Sequence, residues 1–282
     1  VVGFDEPEGT YKVRADYLGY QFWNGETQIT GDTNIVLTIP HQPVEVTVQG
    51  VFKGVAEPIE GIKVYLFSSA GSYLGQYQQT NSSGKVTFDL PEKAYKVRVD
   101  YLGQQFWSEE FMWKDTTVEV PMADAEITVT GAGLPREGVK VYAFTKARSY
   151  LSLYKTTDAA GKVIFQVPEG FYKFRVDYQS SQFWSAEETL TADQVNDILI
   201  SVGGGSFTFT VLKGVAEPLV GVKCYTFTEA GAYLGMYGAT DGDGNVFFNL
   251  ADGIYKFRVD HLGYQFWSNV FEVPTVFSDT LT

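Results

Sequence analysis

The chain has 282 residues, 44% hydrophobic and 20% charged, so it carries apolar material for true cores and is no disordered tail. A net charge of −13 disfavours a nucleic-acid partner, and a single cysteine excludes an internal disulfide. No apolar run reaches the ~18–20 residues of a membrane helix, and two histidines, His41 and His261, leave little for metal or acid–base chemistry.

Aromatics make up 16% of the chain, which favours pleated, half-buried surfaces. Read from the start, Tyr11 to Asn24 is the first of four versions of one segment. The second runs from Tyr95 to Ser108, the third from Tyr172 to Ser185 and the fourth from Tyr255 to Ser268. The equivalent aspartates Asp16, Asp100, Asp177 and Asp260 lie 84, 77 and 83 residues apart. A period of about 80 residues is too long for a solenoid unit and suits a small sandwich domain. A second block precedes the segment in three copies: Gly61-Ile62-Lys63-Val64-Tyr65, Gly138-Val139-Lys140-Val141-Tyr142 and Gly221-Val222-Lys223-Cys224-Tyr225. Residues 1–40 lack that block, so the start of their unit is expected upstream in a longer polypeptide. The expected division is 1–40, 41–123, 124–202 and 203–282, the first piece being the last part of a repeat.

Within residues 41–123, strands are predicted at 44–52, 61–67, 73–80, 85–90, 95–101, 105–111 and 116–120. Asn81-Ser82-Ser83-Gly84, Asp158-Ala159-Ala160-Gly161 and Asp241-Gly242-Asp243-Gly244 mark equivalent hairpin turns. The strand 61–67 is apolar on both faces. One short helical turn is predicted in 190–199, because Thr191-Ala192-Asp193-Gln194 has the pattern of a capped start. Junctions are short: residues 120–127 form one linker, and Pro40 and Pro43 stiffen another. Gly203-Gly204-Gly205-Ser206 is expected to be a flexible joint in an otherwise extended rod.

In Tyr95–Tyr101, Tyr95, Val97, Val99 and Tyr101 share one face, while Arg98 and Asp100 share the other and can pair. Arg175 with Asp177 and Arg258 with Asp260 repeat the arrangement. Phe106 and Trp107 are neighbours and must face opposite sides, so one aromatic is surplus to the core. Three roles fit the surplus Trp23, Trp107, Trp184 and Trp267: covering their own sheet, touching a neighbouring unit or chain, or stacking on sugar. Asp241, Asp243 and Asn245 carry calcium-loop spacing, but Val246 stands where the loop needs glycine. They are read as a hairpin turn first and a weak calcium site second. Cys224 replaces Val64 and Val141 and is expected to be a buried thiol.

The order Pro-x-x-Gly-Val-x-Val-Tyr, then Thr-Asp-x-x-Gly-x-Val-x-Phe, then Pro-Glu-Gly-x-Tyr-x-x-Arg-Val resembles the carboxypeptidase regulatory-like domains. Those belong with the transthyretin-like and collagen-adhesin B-type sandwiches. The resemblance implies tandem immunoglobulin-like (prealbumin-like) β-sandwiches used as structural modules outside the cell or at its surface, with no catalytic residues carried across. Collagen-adhesin relatives sometimes join Lys to Asn, but no Asn recurs to meet Lys63, Lys140 and Lys223, so no such bond is expected. The expectation is a non-enzymatic segment of a stalk or filament-forming protein. It would self-associate through edge strands and surplus aromatics, with no cofactor. An adhesin array binding cell-surface polysaccharide and an accessory region of a secreted hydrolase are the alternatives.

Overall fold

A computed structural model describes residues 2–282. Every regular element among them is a strand. In residues 41–122, strands Tyr73–Gln79, Lys63–Ser68, Tyr95–Tyr101 and Gln104–Trp107 form one antiparallel sheet, in that order. The facing sheet is built on His41–Phe52, which pairs antiparallel with Lys85–Pro91. Its other neighbour is the opening part of Thr116–Gly131, which runs parallel to it from Thr116↔Val46 to Pro121↔Val51. Alternation fixes which side chains point inward. Val44, Val46 and Val48 meet Val64, Leu66, Phe88, Val97, Val99 and Val118 in a closed core.

The same plan recurs twice. Val195–Ser201 runs parallel to residues 124–130, and Ser278–Leu281 runs parallel to residues 208–211. In all three full repeats, therefore, the first and last strands are parallel neighbours. Residues 2–40 hold only Gly9–Tyr11 paired with Thr27–Ile29 and Arg14–Tyr17 paired with Tyr20–Trp23. No described residue in this stretch is fully buried.

The chain divides into two compact units, Val1–Met122 and Ala123–Thr282. Three sequence expectations need correction. Residues 120–127 are not a linker: they lie within the strand Thr116–Gly131, because Val118, Val120, Ala125 and Ile127 keep an inward alternation going. The helical turn expected in 190–199 is a tight turn and a strand: Gln194 N donates to Thr191 O at 3.3 Å, and Val195–Ser201 follows with Ile198 and Ile200 inward. Nor is Gly203-Gly204 a loose joint. A Cβ on Gly203 would lie 2.0 Å from the Asp252 carboxylate, and one on Gly204 would lie 1.8 Å from Leu250 O. Gly204 N donates to Asp252 Oδ1 at 2.6 Å, and Asp252 N donates to Val202 O at 3.0 Å. Gly204 stands where two stretches of backbone meet and Gly203 lies against the Asp252 carboxylate, while the bond from Asp252 N to Val202 O ties the fourth repeat to the third.

The hairpin turns are fixed in the same way. Asn81 Oδ1 accepts from Ser83 N and Lys85 N at 2.9 and 3.0 Å, and Asp158 makes the equivalent bonds to Ala160 N and Lys162 N. Gly84 closes the turn at φ +71, where an added Cβ would sit 2.4 Å from Val48 O. Gly54 has a similar φ of +76 with nothing within 4 Å. Gly54→Ala should therefore cost about 1–2 kcal/mol from the left-handed backbone alone. Gly84→Ala should cost at least about 1–3 kcal/mol more, since strain and the clash add. Urea denaturation of the two variants measures the difference; equal midpoints would contradict the close-approach reading.

Candidate functional site

The outer face of the sheet holding Tyr95–Tyr101 is where the repeated polar and aromatic residues converge. Arg98 lies opposite Trp107 on one neighbouring strand and Tyr65 on the other. Its guanidinium sits 5.3 Å from the Tyr65 ring, 5.2 Å from Phe67 and 5.8 Å from Trp107. Two residues along, the Asp100 carboxylate accepts a hydrogen bond from a terminal nitrogen of that guanidinium at 3.0 Å and lies 2.8 Å from its Nε as an ion pair. Phe67 packs against Trp107 at 4.8 Å and Tyr73 at 5.4 Å, and Tyr77 leans on Tyr65 at 5.8 Å. Phe67 is thereby buried although it points away from the sandwich interior. This answers why the second strand is apolar on both faces: each face has its own cover.

The cluster recurs almost unchanged. Phe144 lies 4.8 Å from Trp184 and Phe227 lies 4.9 Å from Trp267. Arg175 pairs with Asp177 at 2.7 Å, and Arg258 with Asp260 at 2.8 Å. Local additions differ: Arg148 lies 4.9 Å from the Trp184 ring, and Lys256 lies 5.0 Å from Trp267. In the partial first repeat, Arg14 pairs with Asp16 at 2.9 Å and stands 5.6 Å from Trp23. Phe106, the other half of the doublet in the second repeat, packs against the interior, whereas its equivalent Phe266 is exposed. The structure thus brings every Arg, Asp and Trp singled out by the sequence into these clusters. It adds Tyr65, Phe67, Tyr73, Tyr77 and their equivalents, which the sequence flagged only through the doubly apolar strand.

These groups suit cohesion. The cation is compensated by a paired carboxylate, and its surroundings are aromatic. The rings of Tyr73, Tyr77 and Trp107 remain about half exposed and could stack on a flat partner such as a sugar ring. Lys63 and Lys140 lie over Tyr77 and Tyr154 at 5.0 and 5.4 Å, which places their amines against aromatic faces.

Asp241 Oδ1 accepts from Asp243 N and Asn245 N at 2.9 Å each, the same turn that Asn81 makes. Asn245 Oδ1 accepts from Thr210 Oγ1 at 2.7 Å, and Asp252, twelfth along, is engaged at Gly204. Among the described residues no group of three His, Cys, Asp or Glu is placed to hold a metal ion. Cys224 is buried, and burial pushes its thiol from the ordinary 9.0 up to about 12. Tyr255 rises from 10.0 to about 12, chiefly by burial and then through Asp252 and Tyr178. Among the described residues no helix is long and apolar enough to cross a membrane.

No family model and no curated protein matches the chain. Among solved structures it is similar to GBS52, the minor pilin of the Gram-positive pathogen Streptococcus agalactiae, at 13% identity over 57% of this chain and 94% of that one, TM-score 0.35. The shaft pilin SpaA from Lactobacillus rhamnosus GG matches at 14% identity over 57% of this chain and 98% of its own, TM-score 0.30. The Bacillus anthracis TIE protein matches at 15% identity over 96% of this chain and 57% of its own, TM-score 0.26. Likenesses this distant carry no argument about function, which rests on the geometry above.

Trp107→Ala strips the ring from Phe67 and Arg98 and should cost about 1–3 kcal/mol in urea denaturation. Trp107→Phe should retain most of that stability, and an Ala variant as stable as the parent would show that the cluster contributes nothing. The two raised pKa values carry a sign. Cys224 and Tyr255 hold their protons longer folded than unfolded, so stability is complete below the ordinary values of 9.0 and 10.0 and is lost as pH climbs toward about 12. Cys224→Val should flatten the thiol's share of that alkaline decline. Urea midpoints measured across the window check it, and an unchanged slope would contradict it.

Proposed function

We propose that this chain is a load-bearing segment of an extracellular or cell-surface repeat protein, with a structural role and no substrate turnover. One observation carries the reading: the first and last strands of each full repeat are adjacent and parallel. The chain enters a repeat at one end of that pair and leaves at the opposite end. Tension along the polypeptide therefore pulls the two strands past each other, so their hydrogen bonds are loaded together. An antiparallel exit would let them open one at a time. The registers are six residue pairs in residues 41–122, seven in the third repeat and four in the fourth. Two further features support the reading. The polar residues that recur are spent on cohesion, each Arg locked between rings and carboxylate. The junction at Gly204 is braced by Asp252. Assembly with other copies fits the same role, since a repeated surface allows a repeated contact.

Single-molecule stretching of the full chain from its ends tests this. Three separate rupture peaks are expected, each releasing roughly 25 nm of chain at about 3.3–3.6 Å per residue. The fourth repeat, with the shortest parallel register, should break first. Smooth extension without peaks would overturn the load-bearing role.

A further inference from the structure

One turn position distinguishes the repeats. Leu18, Leu102, Gln179 and Leu262 are equivalent, each two residues after Asp16, Asp100, Asp177 or Asp260. All four are left-handed, at φ 47, 45, 47 and 49. Leu18 packs against the core of the second repeat. Gln179 instead reaches backbone of the fourth repeat: its Nε2 donates to Asn249 O at 2.9 Å, and its Oε1 accepts from Ala251 N at 2.7 Å. Ala251 is itself the exception in its set. Four residues before Tyr95, Tyr172 and Tyr255 stand Pro91, Pro168 and Ala251, all three buried. Proline has no N–H, so only the fourth repeat offers the hydrogen that Gln179 accepts. The Ala251 carbonyl is held as well, accepting from the Tyr255 hydroxyl at 3.0 Å.

We propose that Gln179 and Ala251 are a matched pair by which the third repeat recognises the fourth, in place of the leucine and proline found at the equivalent positions elsewhere. The two exceptions meet each other, while Leu18 packs on a repeat that carries Pro91. Either mismatch is costly. A leucine at 179 can neither donate nor accept, so Ala251 N and Asn249 O would lose their partner, and a buried N–H without an acceptor is penalised. A proline at 251 would leave the Gln179 carbonyl without its donor. Near-identical domains in tandem tend to assemble with the wrong neighbour as they fold. A private pair at one joint discriminates by leaving polar groups unpaired in the wrong arrangement. A third repeat seated on the second would set Gln179 against Pro91, which has no hydrogen to give. Met236 Sδ, 3.4 Å from Gln179 Nε2, and Asp252, bound to Gly204 N, complete the joint.

The pair acts without load, so it is tested on the full chain at rest. In amide hydrogen exchange, Gln179→Leu should speed exchange at Ala251 N by a larger factor than at Val211 N, which bonds to Gly244 O at 2.9 Å in the same repeat. Urea denaturation then compares Gln179→Leu, Ala251→Pro and the double variant, which installs the leucine and proline of the other repeats. Each single change should lower the folding equilibrium constant of the fourth repeat about tenfold. The double variant should regain most of that loss, because the two sites are coupled. Equal acceleration at Ala251 and Val211 would overturn the proposal. So would losses that simply add in the double variant. Should Ala251→Pro alone not fold, a folded double variant is the expected rescue, and an unfolded one contradicts the pairing.

Discussion

The parallel pairing of first and last strands organises each repeat. Two parallel neighbours cannot be joined by a hairpin, so the whole sandwich has to be threaded between them. That requirement places the entry and exit of every repeat at opposite ends. It makes Thr116–Gly131 a single strand, whose opening part ends one repeat and whose remainder begins the next. The core follows from the same plan, because the paired strands contribute Val44, Val46 and Val48 on one side and Val118 and Val120 on the other.

The second sheet solves a different problem. Its outer face would otherwise expose Tyr65 and Phe67 to water. Trp107 and Tyr73 close over Phe67, and Arg98 fills the space between the rings. A surface ion pair contributes only about 0–1 kcal/mol. The worth of the Arg98–Asp100 pair lies in orientation: Asp100 holds a planar cation flat against aromatic walls, where its stem also covers apolar surface. Such a cluster gives each sandwich two apolar layers.

Much of this was legible in the residues. Period-two alternation in Tyr95–Tyr101 placed Arg98 and Asp100 together, and the Phe106-Trp107 doublet required one outward ring. The doubly apolar stretch 61–67 signalled the outer cluster without identifying Tyr73 and Tyr77 as its cover. Other features were hidden. Strand direction has no local signature, since parallel and antiparallel partners read alike along one chain. Gly203-Gly204 looked like slack because composition cannot distinguish glycine needed for freedom from glycine needed for close approach; only Asp252, 48 residues on, decides it. Thr191-Ala192-Asp193-Gln194 carried a helix-start pattern, but pairing with residues 124–130 took Val195–Ser201 into the sheet.

The central claim is that tension loads the first and last strands in shear. The most direct test changes only the direction of pulling on the second repeat. Gln42 and Lys114 lie at the same end of the parallel pair, where Glu45 N donates to the Asp115 carboxylate at 2.8 Å. Handles attached there would peel the strands apart one bond at a time, whereas handles at Gln42 and Met122 would shear them. A clearly lower rupture force for the first pair than for the second is the predicted result. Equal forces in both geometries would contradict the account.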